Sequence, residues 1–464
     1  MTFFFETYGC QMNTADSAAL REILRKRGWS AAEKGEDADL VLLNTCSVRE
    51  TAEKRVLGRL AQYAALKKKR ESRGGAFTLV VAGCMAQRLG EKLREDYRAV
   101  DYVMGTGARS VFPQILEAAE KGYCGRDTPL DPVNVEPAFA FSPFHLDAGQ
   151  FRSFVPIMHG CNNFCSYCIV PYVRGREISR SPVSILEEIR RLAENGVREI
   201  CLLGQNVNTY LWREDADPPC VSGNVLDFPG LLELVARALE KTGIRWVRFL
   251  SANPGDFSPE VIRVMAENPV FCRHLHLCVQ HGSNAVLEAM NRKYTRESYI
   301  GLVKEIRGAM PGISLSTDIL VGFPGETEED LRLTLELMEE VKFLYAYMYH
   351  YNPREGTGAY TLPGRIPEPL KRERLGRVIA LQKKHTAELL KSRLGARERV
   401  LVEGISRKNA DELITRTEKD EMAVVPGPVS LIGSFAGLEL SALRGNTFRA
   451  KNLVPSERIN SVCP

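Results

Sequence analysis

The chain predicts an α/β protein built in three units: a doubly wound N-terminal domain, a partial (β/α) barrel, and a small C-terminal antiparallel β-barrel. Three observations predict it. Near-continuous apolar runs alternate with amphipathic helical stretches from residue 2 to about 122, the pattern of a parallel sheet covered on both faces. Strand and helix alternate again from Phe151 onward, the repetition of a (β/α) barrel with its chemistry at the C-terminal ends of the strands. After Gly395 the runs become short, alternate with period two, and are punctuated by Gly404, Pro426-Gly427, Gly433 and Gly445. The length of 464 residues agrees, since roughly 150 residues per domain gives about three domains. The expected boundaries are 1–125, a Pro/Gly/Asp-rich linker at 126–148, 149–394 and 395–458.

Composition narrows the class. A net charge of +4 is too small to argue for a nucleic-acid partner unless the charge is clustered. No apolar run approaches the roughly 20 residues that span a bilayer. Phe3-Phe4-Phe5 is cut short by Glu6 and follows no basic residue, so it does not read as a signal peptide, and a cytoplasmic location is expected. The 12 cysteines are then expected to be metal or redox ligands more than disulfides.

In the first unit, strands are expected at Thr2–Glu6, Asp39–Asn44, Phe77–Val81 and Val100–Met104. Helices are expected at Asp16–Arg27, Ala52–Lys68, Leu89–Glu95 and Val111–Glu120. Cys10, Cys46 and Cys84 each follow one of the first three strands by a few residues. All strand C-termini of a parallel sheet lie along one edge, so three cysteines distant in sequence are expected to converge there. Three small residues in ordinary βα turns is the competing reading.

The second unit opens with Cys161-Asn-Asn-Phe-Cys165-Ser-Tyr-Cys168. Three thiolates this close can meet on one inorganic centre. A structural zinc site wants four protein ligands and a ferredoxin cluster four cysteines, so three leave one iron of a cluster open. A zinc loop completed by His159 is the alternative. Further along, helices are expected at Ser184–Glu194, Phe228–Thr242, Pro259–Glu267, Asn284–Met290, Arg296–Met310 and Glu328–Val341. The intervening strands are Glu199–Leu203, Trp246–Leu250, His274–Cys278, Ser314–Val321 and Phe343–Tyr349. Polar groups gather after these strands: Gly204-Gln-Asn206, Ser251-Ala-Asn-Pro254, Gln280-His-Gly-Ser-Asn284, and Asp318 with Gly322–Thr327. His274 and His276 share a strand face, and a hydrogen-bonded pair is favoured over a metal pair for want of a third ligand at suitable spacing. Cys201, Cys272 and Cys278 read as buried small hydrophobes.

The Cys161–Cys168 segment resembles the Cx3Cx2C signature of the radical S-adenosylmethionine (SAM) enzymes. Tyr8-Gly-Cys-Gln-Met-Asn13, Asn44-Thr-Cys-Ser-Val-Arg-Glu50 and Ala82-Gly-Cys-Met-Ala-Gln87 resemble the N-terminal domain of the radical SAM methylthiotransferases, in the wording of the branch that acts on N6-isopentenyladenosine of tRNA. Tyr347–Thr357 is similar to that family's Tyr-Ser-Pro-Arg-x-Gly-Thr segment, with Asn352 where Ser is usual. The resemblance covers nearly the whole chain, with the last barrel in the place of the family's RNA-binding TRAM domain.

The resemblance implies two 4Fe-4S clusters, one on Cys161, Cys165 and Cys168 and one on Cys10, Cys46 and Cys84. It implies SAM as radical source and methyl donor, with Tyr167 near the adenine and Gln205, Ser251, Asn253 and Gln280 as polar contacts. For each of these residues ordinary loop capping is an equal reading, since such residues favour turns. It further implies a tRNA anticodon stem-loop as partner and a flavodoxin-type electron donor. The implied activity is methylthiolation at C2 of the adenine. The same chemistry on a threonylcarbamoyladenosine or a ribosomal-protein aspartate stays open, as does a non-enzymatic iron–sulfur RNA-binding protein.

Charge adds little to the RNA reading. Residues 365–399 carry 11 Lys+Arg against 4 Asp+Glu, a local net of +7 on an expected helix from Pro369 to Leu394. This is a candidate phosphate track. The last 70 residues hold 10 basic against 9 acidic side chains, so no electrostatic attraction is expected there.

Overall fold

The computed structural model describes residues 1–47, 50–123, 150–214 and 225–455. The expected linker at 126–148 lies outside the described residues, as do Cys124, Cys220 and Cys463.

The first unit holds β1 (Thr2–Thr7), α1 (Gln11–Lys26), β2 (Ser30–Ala31), β3 (Leu40–Thr45), α2 (Glu50–Glu71), β4 (Thr78–Gly83), α3 (Cys84–Leu89), α4 (Glu91–Asp96), β5 (Tyr102–Met104) and α5 (Phe112–Glu120). Its five strands are all parallel, in the order β2-β1-β3-β4-β5. Sequence order reverses between β1 and β3, which makes that edge the switch point where a doubly wound sheet binds its ligand. Alternate residues of each strand feed two separate cores. Phe3, Phe5, Leu40 and Leu42 pack with Leu20, Leu24 and Ile115, while Val41, Leu43, Leu79 and Val81 pack with Val56, Leu60 and Leu93. Each such side chain contributes about 1.5–3 kcal/mol on full burial. Two details depart from expectation. The edge strand β2 is only two residues long and exposed, too short for a periodicity signal. The helix expected at Leu89–Glu95 is two helices, because Gly90 has φ +54 and breaks the turn between them.

The second unit begins with β6 (Arg152–Pro156) and a short antiparallel pair, β7 (Met158–His159) with β8 (Ile178–Ser179), which brackets α6 (Val170–Arg174). Then come α7 (Pro182–Glu194), β9 (Glu199–Leu203), the hairpin β10 (Leu211–Arg213) and β11 (Val225–Asp227), α8 (Phe228–Leu239), β12 (Trp246–Phe249) and α9 (Pro259–Glu267). The unit continues with β13 (His274–His276), α10 (Asn284–Ala289), α11 (Arg296–Ala309), β14 (Ser314–Val321), α12 (Glu328–Val341), β15 (Tyr345–His350) and α13 (Glu368–Ser392). Start signals set the helix ends. Proline stands in the first turn of α7, α8 and α9, and capping boxes at Thr295/Ser298 and Thr327/Asp330 open α11 and α12.

The barrel strands form two parallel three-stranded sheets, β12-β9-β6 and β13-β14-β15, joined only by the bridges Val247–Phe271 and Ala252–Leu277. β6 and β15 are not paired to each other, so the barrel is open on one side. Leu275, Leu277, Val279, Leu315, Ile319 and Val321 belong to the core beneath the helices. Strand alternation therefore turns His274, His276, Cys278, Gln280, Ser316 and Asp318 toward the lumen.

The third unit is a closed five-stranded barrel, β16 (Arg397–Ser406), β17 (Asn409–Thr417), β18 (Met422–Pro426), β19 (Phe435–Arg444) and β20 (Thr447–Pro455), in the order β16-β17-β18-β20-β19. It is not wholly antiparallel as expected: β18 and β20 pair in parallel. An odd number of strands cannot close into a ring with every neighbour reversed, so one parallel pair is unavoidable. The turn between β17 and β18 reaches under the large barrel. There Arg248 donates to Thr417 O at 3.0 Å and Glu418 O at 2.8 Å, and Ser314 Oγ donates to Lys419 O at 2.9 Å. No helix among the described residues is long and apolar enough to cross a membrane.

Candidate active site

The first three cysteines meet at the sheet edge. Cys10 caps α1, Cys46 follows β3, and Cys84 opens α3. Gly9 has φ +123, and a Cβ placed there would lie 2.6 Å from Cys46 Cβ, so the turns carrying Cys10 and Cys46 touch. Gly83 has φ +94, and its Cβ would fall 2.5 Å from Thr45 O, which sets the Cys84 turn against the same segment. Asn13 and Asn44, both buried, tie the turns together. Asn13 Nδ2 donates to Asn44 Oδ1 and Thr45 O at 2.9 Å each, and Asn44 Nδ2 donates to Asn13 O at 2.8 Å. Sequence reasoning missed this clamp, although both asparagines stand within three residues of a cysteine and share its motif.

The second set lies in the loop after β7. Gly160 turns the chain with φ +77, where a Cβ would sit 1.9 Å from Arg176 O. Cys168 N donates to Cys165 O at 2.9 Å, and Ser166 N to Met290 O at 3.0 Å. Asn291 Nδ2 donates to Phe164 O at 3.0 Å. The loop is thus held from both ends and from the barrel mouth.

None of the six cysteines is in a disulfide. Burial pushes Cys84 and Cys161 up to about 11 and Cys168 to about 12, so each stays protonated unless a bound cation replaces the lost solvation. A cluster iron bound there would supply that charge. Three thiols per set suit a 4Fe-4S cluster with one iron left open better than a structural zinc, which wants four protein ligands. In the zinc alternative His159 is partly engaged, since its Nε2 lies 2.9 Å from the Arg174 guanidinium.

The two sets face each other across one interface. Cys84 packs against Ile169 and Val173, on the helix that directly follows Cys168. The next residue, Arg174, is buried and reaches back to the first unit, donating to Asp16 Oδ2 at 2.9 Å and bonding the Cys84 thiol. Arg109 pairs with the other oxygen of Asp16, and Arg354 pairs with Glu53 on α2 at 3.1 Å.

The expected SAM contacts ring the barrel mouth. Ser251 and Gln280 have φ +66 and +67, and Phe164 and Asn291 beside them are also at positive φ. Backbone strain of this kind persists where the surroundings over-determine it, and it clusters at ligand sites. Gln205 Oε1 is buried with no hydrogen-bond partner among the described residues, an acceptor left for a ligand donor. Asn253 is differently placed: its Nδ2 donates to Asp256 Oδ2 at 2.7 Å and its Oδ1 accepts from Arg292 at 3.3 Å, so its side chain is engaged within the protein. Tyr167 is half-buried and its hydroxyl accepts from Arg292 Nη2 at 2.8 Å. Arg292 was not anticipated from sequence. Its guanidinium lies over Tyr167 and Tyr294, feels Cys165, and keeps Nε buried without a partner.

Against this geometry, the comparisons with known proteins agree along the chain. Residues 2–105 match the uncharacterized protein family UPF0004, 155–338 the radical SAM superfamily, and 391–451 the TRAM domain. A tRNA-2-methylthio-N(6)-dimethylallyladenosine synthase of Treponema denticola is 50% identical over 460 residues, 97% of this chain and 99% of that protein. This chain belongs to that synthase family. Family members of Bacteroides thetaiotaomicron and Moorella thermoacetica are each 41% identical, covering 97% and 95% of this chain and 96% of each of those proteins. Among solved structures, the radical SAM methyltransferase TsrM of Kitasatospora setae superimposes with a TM-score of 0.55 at 16% identity, covering 77% of this chain and 73% of that one. That likeness concerns the fold alone.

The basic helix is less available to an RNA than its composition implies. Arg374 pairs with Glu326 at 2.8 Å, Lys371 with Glu368 at 2.7 Å, Arg377 with Glu328 at 2.5 Å, and Arg393 with Glu421 at 3.1 Å. Arg374 and Arg377 thus tie α13 to the barrel, Lys371 pairs within the helix, and Arg393 just past its end reaches the third unit.

Proposed function

We propose that this chain methylthiolates C2 of N6-(dimethylallyl)adenosine beside the anticodon of tRNA, with SAM as radical source and methyl donor. One observation carries the reading in a chain of this family. Two three-cysteine sets lie near one interface at the mouth of an open (β/α) barrel, where Cys84 of one set packs against Ile169 and Val173, just after Cys168 of the other, and Arg174 reaches across to Asp16.

Cys161, Cys165 and Cys168 would hold one 4Fe-4S cluster, and Cys10, Cys46 and Cys84 another. Bound there, the clusters supply the electron that cleaves SAM and the site at which sulfur is delivered. The chain's own residues do the rest. Arg292 brings a half-buried cation with a buried, unpartnered Nε to the mouth, beside Tyr167, where a carboxylate and a ribose can be gripped. Gln205 Oε1 accepts from the same ligand, and Ser251 and Gln280 present backbone and side chain in strained turns around it. The docked first unit keeps water from the reacting carbon.

The target base must leave its stack to reach this depth. Tyr347 and Tyr349, 52% and 41% exposed on one face of the open edge strand β15, offer aromatic surfaces on which it can rest. The TRAM domain is assigned to hold the RNA by the kind of domain it is, not by charge. A tRNA substrate fits a cytoplasmic location, and a reductant such as a flavodoxin-type protein would serve as the electron donor.

The test is nucleoside mass spectrometry after anaerobic incubation of reconstituted protein with SAM, reductant, sulfide and tRNA carrying isopentenyladenosine. A 2-methylthio product is expected. 5′-Deoxyadenosine without a tRNA product would overturn the substrate and leave SAM cleavage standing. Absence of both would favour an iron–sulfur protein that binds RNA without turnover.

A further inference from the structure

His276, Cys278 and Asp318 meet inside the barrel lumen, in none of the roles given above. Cys278 Sγ lies 3.3 Å from His276 Nε2, and Asp318 Oδ2 lies 3.5 Å from the same nitrogen. Among the described residues this is the group of His, Cys and carboxylate ligands whose donor atoms all lie within 4.8 Å of one another. Tetrahedral zinc, with bonds of about 2.0–2.3 Å to N, O and S, places its ligand atoms about 3.3–3.6 Å apart. The two measured separations fall on that range.

The arrangement is not that of a nucleophile relay. In a nucleophile–imidazole–carboxylate relay, thiol and carboxylate engage opposite ring nitrogens. Here both crowd Nε2, while Nδ1 lies 3.0 Å from Ser316 Oγ. Ser316 Oγ is also 3.0 Å from His274 Nε2. One hydroxyl carries one proton. If Ser316 donates to His274, it accepts from Nδ1–H of His276, and the Nε2 lone pair of His276 points at Cys278 and Asp318. That is the tautomer a metal requires, and an N–H donated outward to a fixed acceptor is the usual support for a ligating histidine.

We infer that His276, Cys278 and Asp318 form a three-ligand site for a zinc-like divalent cation, distinct from both cysteine triads. The mixed N, S and O donor set selects zinc over magnesium or calcium. Three protein ligands leave a fourth position for water or a lone pair from a bound molecule. Asp318 is the most accessible of the three, its side chain 27% exposed against 9% for His276, so the open position lies on its side, toward the lumen. Tyr347 packs edge-on to the His276 ring at 5.5 Å and closes the other flank.

The inference does not depend on the reaction proposed above, and its test reads metal, not turnover. Holoprotein with both clusters reconstituted is dialysed against zinc, then against a weak chelator, and its metals are measured. About one zinc per chain beyond the cluster iron is expected, lost in Cys278→Ala and in Asp318→Asn with iron content unchanged. Ser316→Ala should weaken zinc retention by about 10–100-fold without touching a ligand. Cobalt in place of zinc should give a sulfur-to-metal charge-transfer band that disappears in Cys278→Ala. The inference is overturned if the wild-type holoprotein retains neither zinc nor cobalt. It is equally overturned if both ligand variants retain as much as the wild type, which would place the bound metal elsewhere.

Discussion

Arg174 on α6 donates to Asp16 on α1 at 2.9 Å, and this buried ion pair bolts the first unit onto the mouth of the second. The pair lies beside Cys84 and within one turn of the helix that follows Cys168, so whatever loosens it also opens the space between the two cysteine sets.

Burial raises the Asp16 carboxyl, but Arg174 and Arg109 outweigh burial and hold it below the ordinary carboxylate range. A carboxyl with a depressed folded pKa stabilises fully above its unfolded value of about 3.9 and loses that stabilisation as pH falls through the folded value. Acidification below about pH 4 should therefore open the interface. Asp16→Asn should cost about 3 kcal/mol or more in urea unfolding at pH 7, because Arg174 is left buried without its counter-charge. It should also remove this part of the acid dependence. Hydrogen exchange of the α1 and α6 amides, followed against pH in both proteins, checks the sign.

Iron content separates the two cysteine sets. Cys84→Ala and Cys165→Ala should each lose about half of the reconstituted iron, and the double variant nearly all. Iron and sulfide analysis with electron paramagnetic resonance of the reduced proteins reads this directly. Equal iron in Cys84→Ala and wild type would remove the first set from cluster binding.

Gly160→Ala should damage the second loop without removing a ligand. The new methyl would meet Arg176 O at 1.9 Å on a backbone with φ +77, so the turn must move. A loss of about 1–3 kcal/mol in thermal unfolding is expected, with lower retention of the barrel cluster. Gly301→Ala is the control, since a Cβ there meets nothing within 4 Å.

Tyr167→Phe deletes the hydroxyl that accepts from Arg292 at 2.8 Å and keeps the ring. A hydrogen bond to a charged group contributes about 1.5–3 kcal/mol, and with Arg292 no longer held in place SAM affinity should fall by about tenfold. Equilibrium binding of SAM to the cluster-loaded protein measures it. Unchanged affinity would show that Arg292 does not need Tyr167 to hold its place.

Much of the fold was legible in the chain because its signals are local. The strands Glu199–Leu203 and Ser314–Val321 and the helices Pro259–Glu267 and Glu328–Val341 lie where periodicity and caps put them. Other features carried no local signal. The two-residue β2 is too short, and the parallel β18–β20 pairing is a consequence of closure.

The candidate site divides the same way. The spacing of Cys161, Cys165 and Cys168 is set within one loop, so sequence alone determined that three thiols meet there. Strand order then brought Cys10, Cys46 and Cys84 to one edge, as parallel topology requires. Only the tertiary structure decided that Arg174 joins the two sets and that Arg292 faces Tyr167. It also turned Cys278, which reads as a small hydrophobe, toward His276 and Asp318, and committed Arg374 and Arg377 of α13 to ion pairs with other elements. The physical reason is range. Dihedral preferences and side-chain periodicity act over a few residues, whereas a contact between positions 16 and 174, or 278 and 318, exists only once crossovers and register have been chosen for the whole sheet.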